Sequence, residues 1–256
     1  MAVGEPVEAG RVLLPGRVER RLERLVVRLR EAAGSNLKSV ILYGSAVAGW
    51  FRPEHSDVNV LCVLDHLEPE DLQRLAPVVR WWHRRGYPGP LMFARRELER
   101  SARLFAIEWL DIQAHHRVLD GEDVIGTLSV PLENHAVQVE WELEQKLIAL
   151  RQQAMAAGYR PRSLLRLMLE ALPSVLTLLR HALLALGSPL PMAPEETLSA
   201  VATTLSCNVE AVQTLLEVRA GRRHAEDLDA REMFGAYVEV VERVARALSE
   251  WRQGEA

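Results

Sequence analysis

The chain has little of what would mark it for secretion, for a membrane, for zinc or for a long polyanion. It holds two cysteines in 256 residues. Cys62 and Cys207 stand far apart, and Cys62 lies in an apolar run, so two buried thiols are expected rather than a disulfide. The N-terminal stretch carries Glu5 and Glu8 and lacks the apolar core of a signal peptide. The most apolar later stretch, residues 171–186, contains Pro173, Arg180 and His181, which argues for a buried helix over a membrane span. Basic residues are not in excess: 31 Lys and Arg against 35 Asp and Glu give a net charge of -4 and a pI near 6.1. A long nucleic acid is therefore not an expected partner, although a local basic patch is compatible with this balance. His115 and His116 are adjacent, without the i,i+4 spacing of a helical metal pair, and no Cys or further His cluster supports zinc. No internal repeat and no low-complexity segment is evident. These absences leave a cytoplasmic protein with no membrane partner as the expectation. At 48% hydrophobic and 26% charged residues the composition is that of an ordinary globular protein, long enough for two modest domains.

What is present centres on Ser39 to Asp65, SVILYGSAVAGWFRPEHSDVNVLCVLD. It reads as strand, glycine turn, short helix, loop, strand. Ser39 to Tyr43 is a short apolar and β-branched run, and Gly44-Ser45 follows at once. Ala46 to Ala48 fits one or two helical turns ending at Gly49, Trp50 to Ser56 is a loop holding Pro53, and Asp57 to Leu64 is a second strand. Such a unit suits phosphate. Gly44 lets backbone approach a ligand closely, and Ser45 offers a hydroxyl at a helix start whose N–H groups favour an anion. Residues two apart on a strand face the same way, so Asp57 and Asn59 point together beside the turn. A carboxylate and an amide oxygen there could hold a divalent cation, with Mg²⁺ the natural partner of phosphates.

The ordered set Gly44-Ser45, Gly49 and Ser56-Asp57-Val58-Asn59 before an apolar strand resembles the nucleotidyltransferase superfamily of DNA polymerase beta. It is most similar to the small-substrate branch that includes the aminoglycoside nucleotidyltransferases. The match is carried by residues 39–65, with weaker support to about residue 123. It departs from the family at one place, where the second acid of Asp-x-Asp is Asn59. The resemblance implies a mixed α/β nucleotide-binding domain and transfer of a nucleoside monophosphate from ATP or another NTP to an acceptor. It also implies Mg²⁺ or Mn²⁺ as the metal, and a third acidic residue on a later strand.

That third acid is sought in Leu104 to Ile112, LFAIEWLDI, read as a strand. Acidic residues inside an apolar strand need a reason, because an unpaired buried carboxylate is costly. Glu108 and Asp111 differ by an odd number, so on a strand they face opposite sides and only one can join Asp57 and Asn59. The resemblance favours Glu108, with Asp111 as the rival. Asp57, Glu108 and Asp111 are thus the catalytic candidates, Asp57, Asn59 and Glu108 the metal ligands, and Gly44 and Ser45 the nucleotide-binding turn. Arg117 is a further candidate for a phosphate, set against a plain edge strand over 116–119 followed by an Asp-Gly turn.

Around this core, residues 16–33 form a helix with an apolar stripe of Val18, Leu22, Leu25, Val26 and Leu29. Arginines fill much of the rest, offset by Glu19, Glu23 and Glu31, as on a solvated face. Gly34-Ser35-Asn36 ends it. A second helix is expected over 67–85, with packing roles for Trp81 and Trp82, then a turn at 86–89, a strand over 90–93 and a helix over 94–103. From about residue 131 every segment reads helical: 131–157, 161–186 with Pro173 kinking or dividing it, 195–205, 208–220 and 227–251. The expected architecture is α+β, with a mixed-sheet nucleotidyltransferase domain over 1–127 and an all-α helical bundle over 128–256. Glu140 and Glu144 share a helix face and are candidates for the base that takes the acceptor proton. The acceptor is an unidentified small molecule or protein. The alternative is a catalytically inactive protein of the same fold that binds a nucleotide or a partner.

Overall fold

The computed structural model describes residues 14–48, 57–191 and 193–255. The expected helix end at Gly49 and the loop over 50–56 lie outside them. The described chain clusters into two compact units, one ending at Pro131 and the next beginning at Leu132.

The first unit is built on a four-stranded mixed sheet in the order β3-β2-β1-β4. Its strands are β1 (Leu37–Tyr43), β2 (Asn59–Leu64), β3 (Leu91–Ala94) and β4 (His116–Gly121). β1 pairs antiparallel with both β2 and β4, and β2 pairs parallel with β3. The two central strands are buried on both faces, which is why they read as continuous apolar runs. On one face Val40, Leu42, Val60, Cys62 and Leu64 pack with α1 (Gly16–Ala33) and α2 (Pro69–His83). On the other, Ile41, Leu61 and Val63 pack with α3 (Arg95–Ala102) and α4 (Ala106–Ala114).

α1 buries Val18, Leu22, Leu25 and Leu29, the stripe its spacing predicts. α2 begins with Pro69 behind a capping box of Glu68 and Asp71. The buried Asp71 carboxylate accepts from the Glu68 N–H and binds Arg74 and His66, and these contacts hold it well below the ordinary carboxylate range despite desolvation. Asn36 donates to Asp71 and exchanges hydrogen bonds with the His66 backbone at 3.1 Å, tying the start of β1 to the start of α2. Trp82 is fully buried and stacks on Tyr87 with ring centroids 4.3 Å apart.

The strand expected over 104–112 is instead a helix, α4. Ala106, Trp109 and Ile112 recur every third residue and all are buried, a helical period and not an alternation. Phe105 and Leu104 are exposed, and these apolar neighbours masked the period in the sequence. Trp109 meets Phe93 of β3 edge-on at 5.3 Å. The sheet edge is closed instead by β4. Cys62 is the buried thiol it was expected to be, its pKa pushed up to about 12 by burial, whereas Cys207 is only partly buried; both are free.

The second unit is all helical: α5 (His135–Ala156), α6 (Pro161–Ala185), α7 (Pro194–Leu205), α8 (Glu210–Arg219) and α9 (Ala230–Glu255). α6 is long and apolar enough to cross a membrane by length and composition, but half of its most apolar window is buried inside the protein. It continues as one helix through Pro173, which does not divide it. The Ser174 hydroxyl donates to the Ala171 carbonyl at 2.8 Å. His135 and His181 are both buried and share a hydrogen bond of 2.9 Å.

The glycine ending β4 gives a clean test of the first unit. Gly121 has φ +83, and a Cβ there would lie 1.9 Å from the Lys38 carbonyl oxygen. Gly86 has φ +82 with open space around it. Gly86→Ala should cost about 1 kcal/mol and Gly121→Ala about 3 kcal/mol or more, because only the second adds a backbone clash to the left-handed strain. Equal losses in urea unfolding would contradict this packing.

Candidate nucleotide site

The candidate site is built where β1 ends. After Tyr43 the chain turns at Gly44, whose φ of +78 is a left-handed value that a side chain would oppose. The Gly44 N–H donates to the His115 carbonyl at 3.0 Å, and its own carbonyl accepts from Val47 at 2.9 Å and Ala48 at 3.0 Å. The result is a single 3₁₀ turn over Gly44–Ala46, anchored by buried Ala46. The expected helix is therefore only this turn among the described residues. Any affinity for an anion rests on local N–H groups and the half-buried Ser45 hydroxyl, not on a long helix dipole.

The neighbouring strand brings its polar end to the same place. Asn59 pairs with Tyr43 across the sheet. Its amide nitrogen lies 3.5 Å from where a Gly44 Cβ would stand, so glycine and amide are in near contact. Val58 is fully buried with the α1/α2 layer. By strand alternation Asp57 and Asn59 turn the other way, toward the α3/α4 side. Asp57 is exposed and Asn59 half-buried.

The third acidic candidates sit differently from expectation. Glu108 and Asp111 are on α4, three residues apart, and so share one side of a helix. The strand argument that separated them does not hold. Glu108 is exposed and Asp111 half-buried, and each is engaged in contacts of its own. β3, the strand beside β2, carries Leu91, Met92, Phe93 and Ala94 and no acid. Among the described residues no group of three or more His, Cys, Asp or Glu is placed to hold a metal ion. Asp57 and Asn59 alone offer one carboxylate and one amide oxygen.

Arg117 is not available for phosphate: its guanidinium grips both oxygens of Glu19 on α1 at 2.9 to 3.0 Å. In the second unit Glu140 is ion-paired with Arg252, and Glu144 is exposed on α5.

The sequence reading missed His116. It pairs with Tyr43 on the opposite side of β1 from Asn59, one residue before Gly44. Its Nδ1 bonds the Gln113 carbonyl at 3.0 Å and its Nε2 meets Asp123 at 3.1 Å. Desolvation raises the Asp123 pKa, but the Gly126 and Ile125 N–H groups and His116 outweigh it and leave the carboxyl below its ordinary value. The signal available in the sequence was the polar start of the strand 116–121, set aside once the histidines failed as a metal pair. Asp123 also borders a cavity of about 480 Å³ with Arg95, Arg103, Thr127 and Ser129, which is separate from Gly44, Ser45, Asp57 and Asn59.

The chain is similar to the crystal structure of spectinomycin adenyltransferase AAD(9) from Enterococcus faecialis with ATP and spectinomycin, at a TM-score of 0.54 and 13% identity. The likeness covers 87% of this chain and 99% of that one. The two chains share a fold. No family model and no curated protein matches the sequence. The likeness is thus one of architecture; in this chain it is a mixed sheet followed by a helical unit, the expected α+β class.

Gly44→Val should leave far-ultraviolet circular dichroism near that of the wild type, lower the melting temperature through left-handed strain, and abolish ATP binding in calorimetry. A folded Gly44→Val protein that binds ATP as the wild type does would remove the turn from the site.

Proposed function

We propose that this chain is a nucleotidyltransferase that binds ATP or another NTP at the Gly44–Ser45 turn and moves its nucleoside monophosphate to an acceptor. The observation that carries the proposal is the near contact between Gly44, at a left-handed φ, and Asn59 at the end of β1 in this fold. Gly44 leaves room for phosphate oxygens, and the Ser45 hydroxyl can donate to one of them. By strand alternation Asp57 and Asn59 lie on the same side of the chain, offering a carboxylate and an amide oxygen. This donor pair suits a single Mg²⁺ or Mn²⁺ that brings triphosphate oxygens as its other ligands, since Mg²⁺ is commonly held by one or two carboxylates plus phosphates. It does not suit two ions. Held there, such an ion would supply charge neutralisation at the phosphates. In the transfer, an acceptor oxygen bonds the α-phosphorus, the bond to pyrophosphate breaks, and the acceptor proton passes to a base. Glu108 or Asp111 is the proposed third acidic ligand. The acceptor is a small molecule or a protein bearing a hydroxyl or similar group.

A second reading, binding without transfer, is favoured by two observations: the amide of Asn59 where the family carries a carboxylate, and the absence of an acid on β3. An amide ligates through oxygen but brings no negative charge. Calorimetric titration of ATP with and without Mg²⁺ or Mn²⁺ tests both readings, followed by pyrophosphate release with candidate acceptors. Metal-dependent ATP binding with release supports transfer; binding without release supports the second reading; no binding at millimolar ATP removes both.

Two sets of variants sharpen the test. Asn59→Asp keeps the shape and adds a charge beside Asp57. Like charges raise a carboxylate pKa and lower stability in chelator, while added charge strengthens metal binding to the folded state. The variant should melt lower than wild type in chelator and gain more from Mg²⁺ or Mn²⁺; equal gains would mean that residue 59 does not face metal. Separately, Glu108→Gln or Asp111→Asn should weaken metal-dependent ATP affinity about tenfold, roughly 1.4 kcal/mol, at whichever residue is the ligand. If neither does, the third ligand is not on α4.

A further inference from the structure

Along α1 and the end of α2 stand arginines that no carboxylate among the described residues pairs. Arg17, Arg21, Arg24 and Arg28 follow at i, i+4, i+7 and i+11, within about 60° of one another around the helix and over about 16 Å of its length. Two of them are fixed by aromatic rings of the α2 region. Arg21 donates to the Tyr87 hydroxyl at 3.0 Å, and the Arg28 guanidinium lies 4.6 Å from the centre of the Trp81 ring. Arg85 lies 4.1 Å from the same ring and donates to the Trp81 carbonyl at 2.7 Å.

Among the described residues none of these five guanidiniums is in an ion pair, although their neighbours are. On the other flank of α1, Arg30 is paired with Asp120, and Glu19 with Arg117. Within the stripe the one carboxylate of matching direction is Glu31, at its C-terminal end. Two features cost stability. Arg28 and Arg85 share one ring, which brings like charges together. Arg17 also stands in the first turn of α1, at the positive end of the helix dipole, where a cation is disfavoured. The Trp81 ring offsets the first in part by cation–π attraction. A bound anion would offset both.

We propose that this ridge binds single-stranded nucleic acid. Guanidinium is the natural bidentate partner of phosphate. A row of about 16 Å spans a few successive phosphates of one strand. Trp81 holds two guanidiniums over its ring, and arginine planes so held present faces on which unpaired bases stack. A membrane surface fits less well, because it calls for an outward apolar face with the cations, and Trp81 is covered by arginine. The ridge is local, on a chain whose net charge is -4, so the affinity is expected to be strongly dependent on salt.

The test is fluorescence anisotropy of labelled U10 and dT10 with the full chain in EDTA, which keeps it separate from NTP binding. Both oligonucleotides should bind at 50 mM salt, with log affinity falling against log salt at a slope of about -3 for four phosphate contacts. Arg24→Gln/Arg28→Gln/Arg85→Gln should weaken binding at least tenfold and reduce the slope by about two. Arg162→Gln/Arg166→Gln on α6 should change nothing. Should the triple variant unfold, Arg24→Gln alone, which removes no described contact, should still weaken binding severalfold. Preference for U10 over dT10 would identify RNA, and equal binding a general single-strand surface; both support the proposal. No binding at 50 mM salt would overturn it. So would unchanged binding by folded variants, equal binding of a ten-phosphate polyphosphate, or binding to anionic lipid vesicles without binding to either oligonucleotide.

Discussion

The antiparallel pairing of β1 with β2 governs the first unit. Both strands are buried on both faces, so a slip of one residue would exchange the layer against α1 and α2 for the layer against α3 and α4. The register that sets Tyr43 opposite Asn59 therefore also sets the amide beside Gly44. Hydrophobic packing several residues away fixes the geometry of the polar end. Val58 is the link: its burial with one layer turns Asp57 and Asn59 toward the other.

Much of this was legible in the sequence because the signals were local. A glycine that must turn and a proline that opens α2 each act over a few residues. The Asp-x-Asn spacing fixes a strand face without regard to the rest of the chain. The fold class followed from the same stretch together with the helical run of the second half. The reading failed where an apolar run had two possible periods. In LFAIEWLDI, exposed Leu104 and Phe105 extend the run of Ala106, Trp109 and Ile112, and only the packing of Trp109 against Phe93 reveals the helix. The argument that set Glu108 and Asp111 on opposite sides rested on that choice and falls with it. Arg117 and Glu140 were unreadable for another reason. Their partners, Glu19 and Arg252, lie 98 and 112 residues away, and no spacing rule reaches so far.

The two faces of the first sheet carry opposite electrostatic problems. On the α3/α4 side the proposed site offers one carboxylate, Asp57, beside the Asn59 amide. On the α1/α2 side five arginines have no ion-pair partner among the described residues. The protein's overall balance is close to neutral and conceals both. A net charge of -4 describes neither face, and the sequence shows the imbalance only when α1 is read as a helix with two distinct flanks.

The place of β4 in the sheet has a consequence for synthesis. β1 ends at Tyr43 and its outer neighbour begins at His116, with the Arg117 grip on Glu19 arriving at the same moment. A ribosome adding roughly 5–20 residues per second needs about 4–15 s to pass from one strand to the other. Through that interval one edge of β1 stands without its partner, and α1 lacks its tether to that edge. An unpaired strand this apolar is a template for another chain. The nascent first unit is thus most exposed to misassembly just before its last strand emerges, and truncation anywhere ahead of residue 116 should leave it in that state.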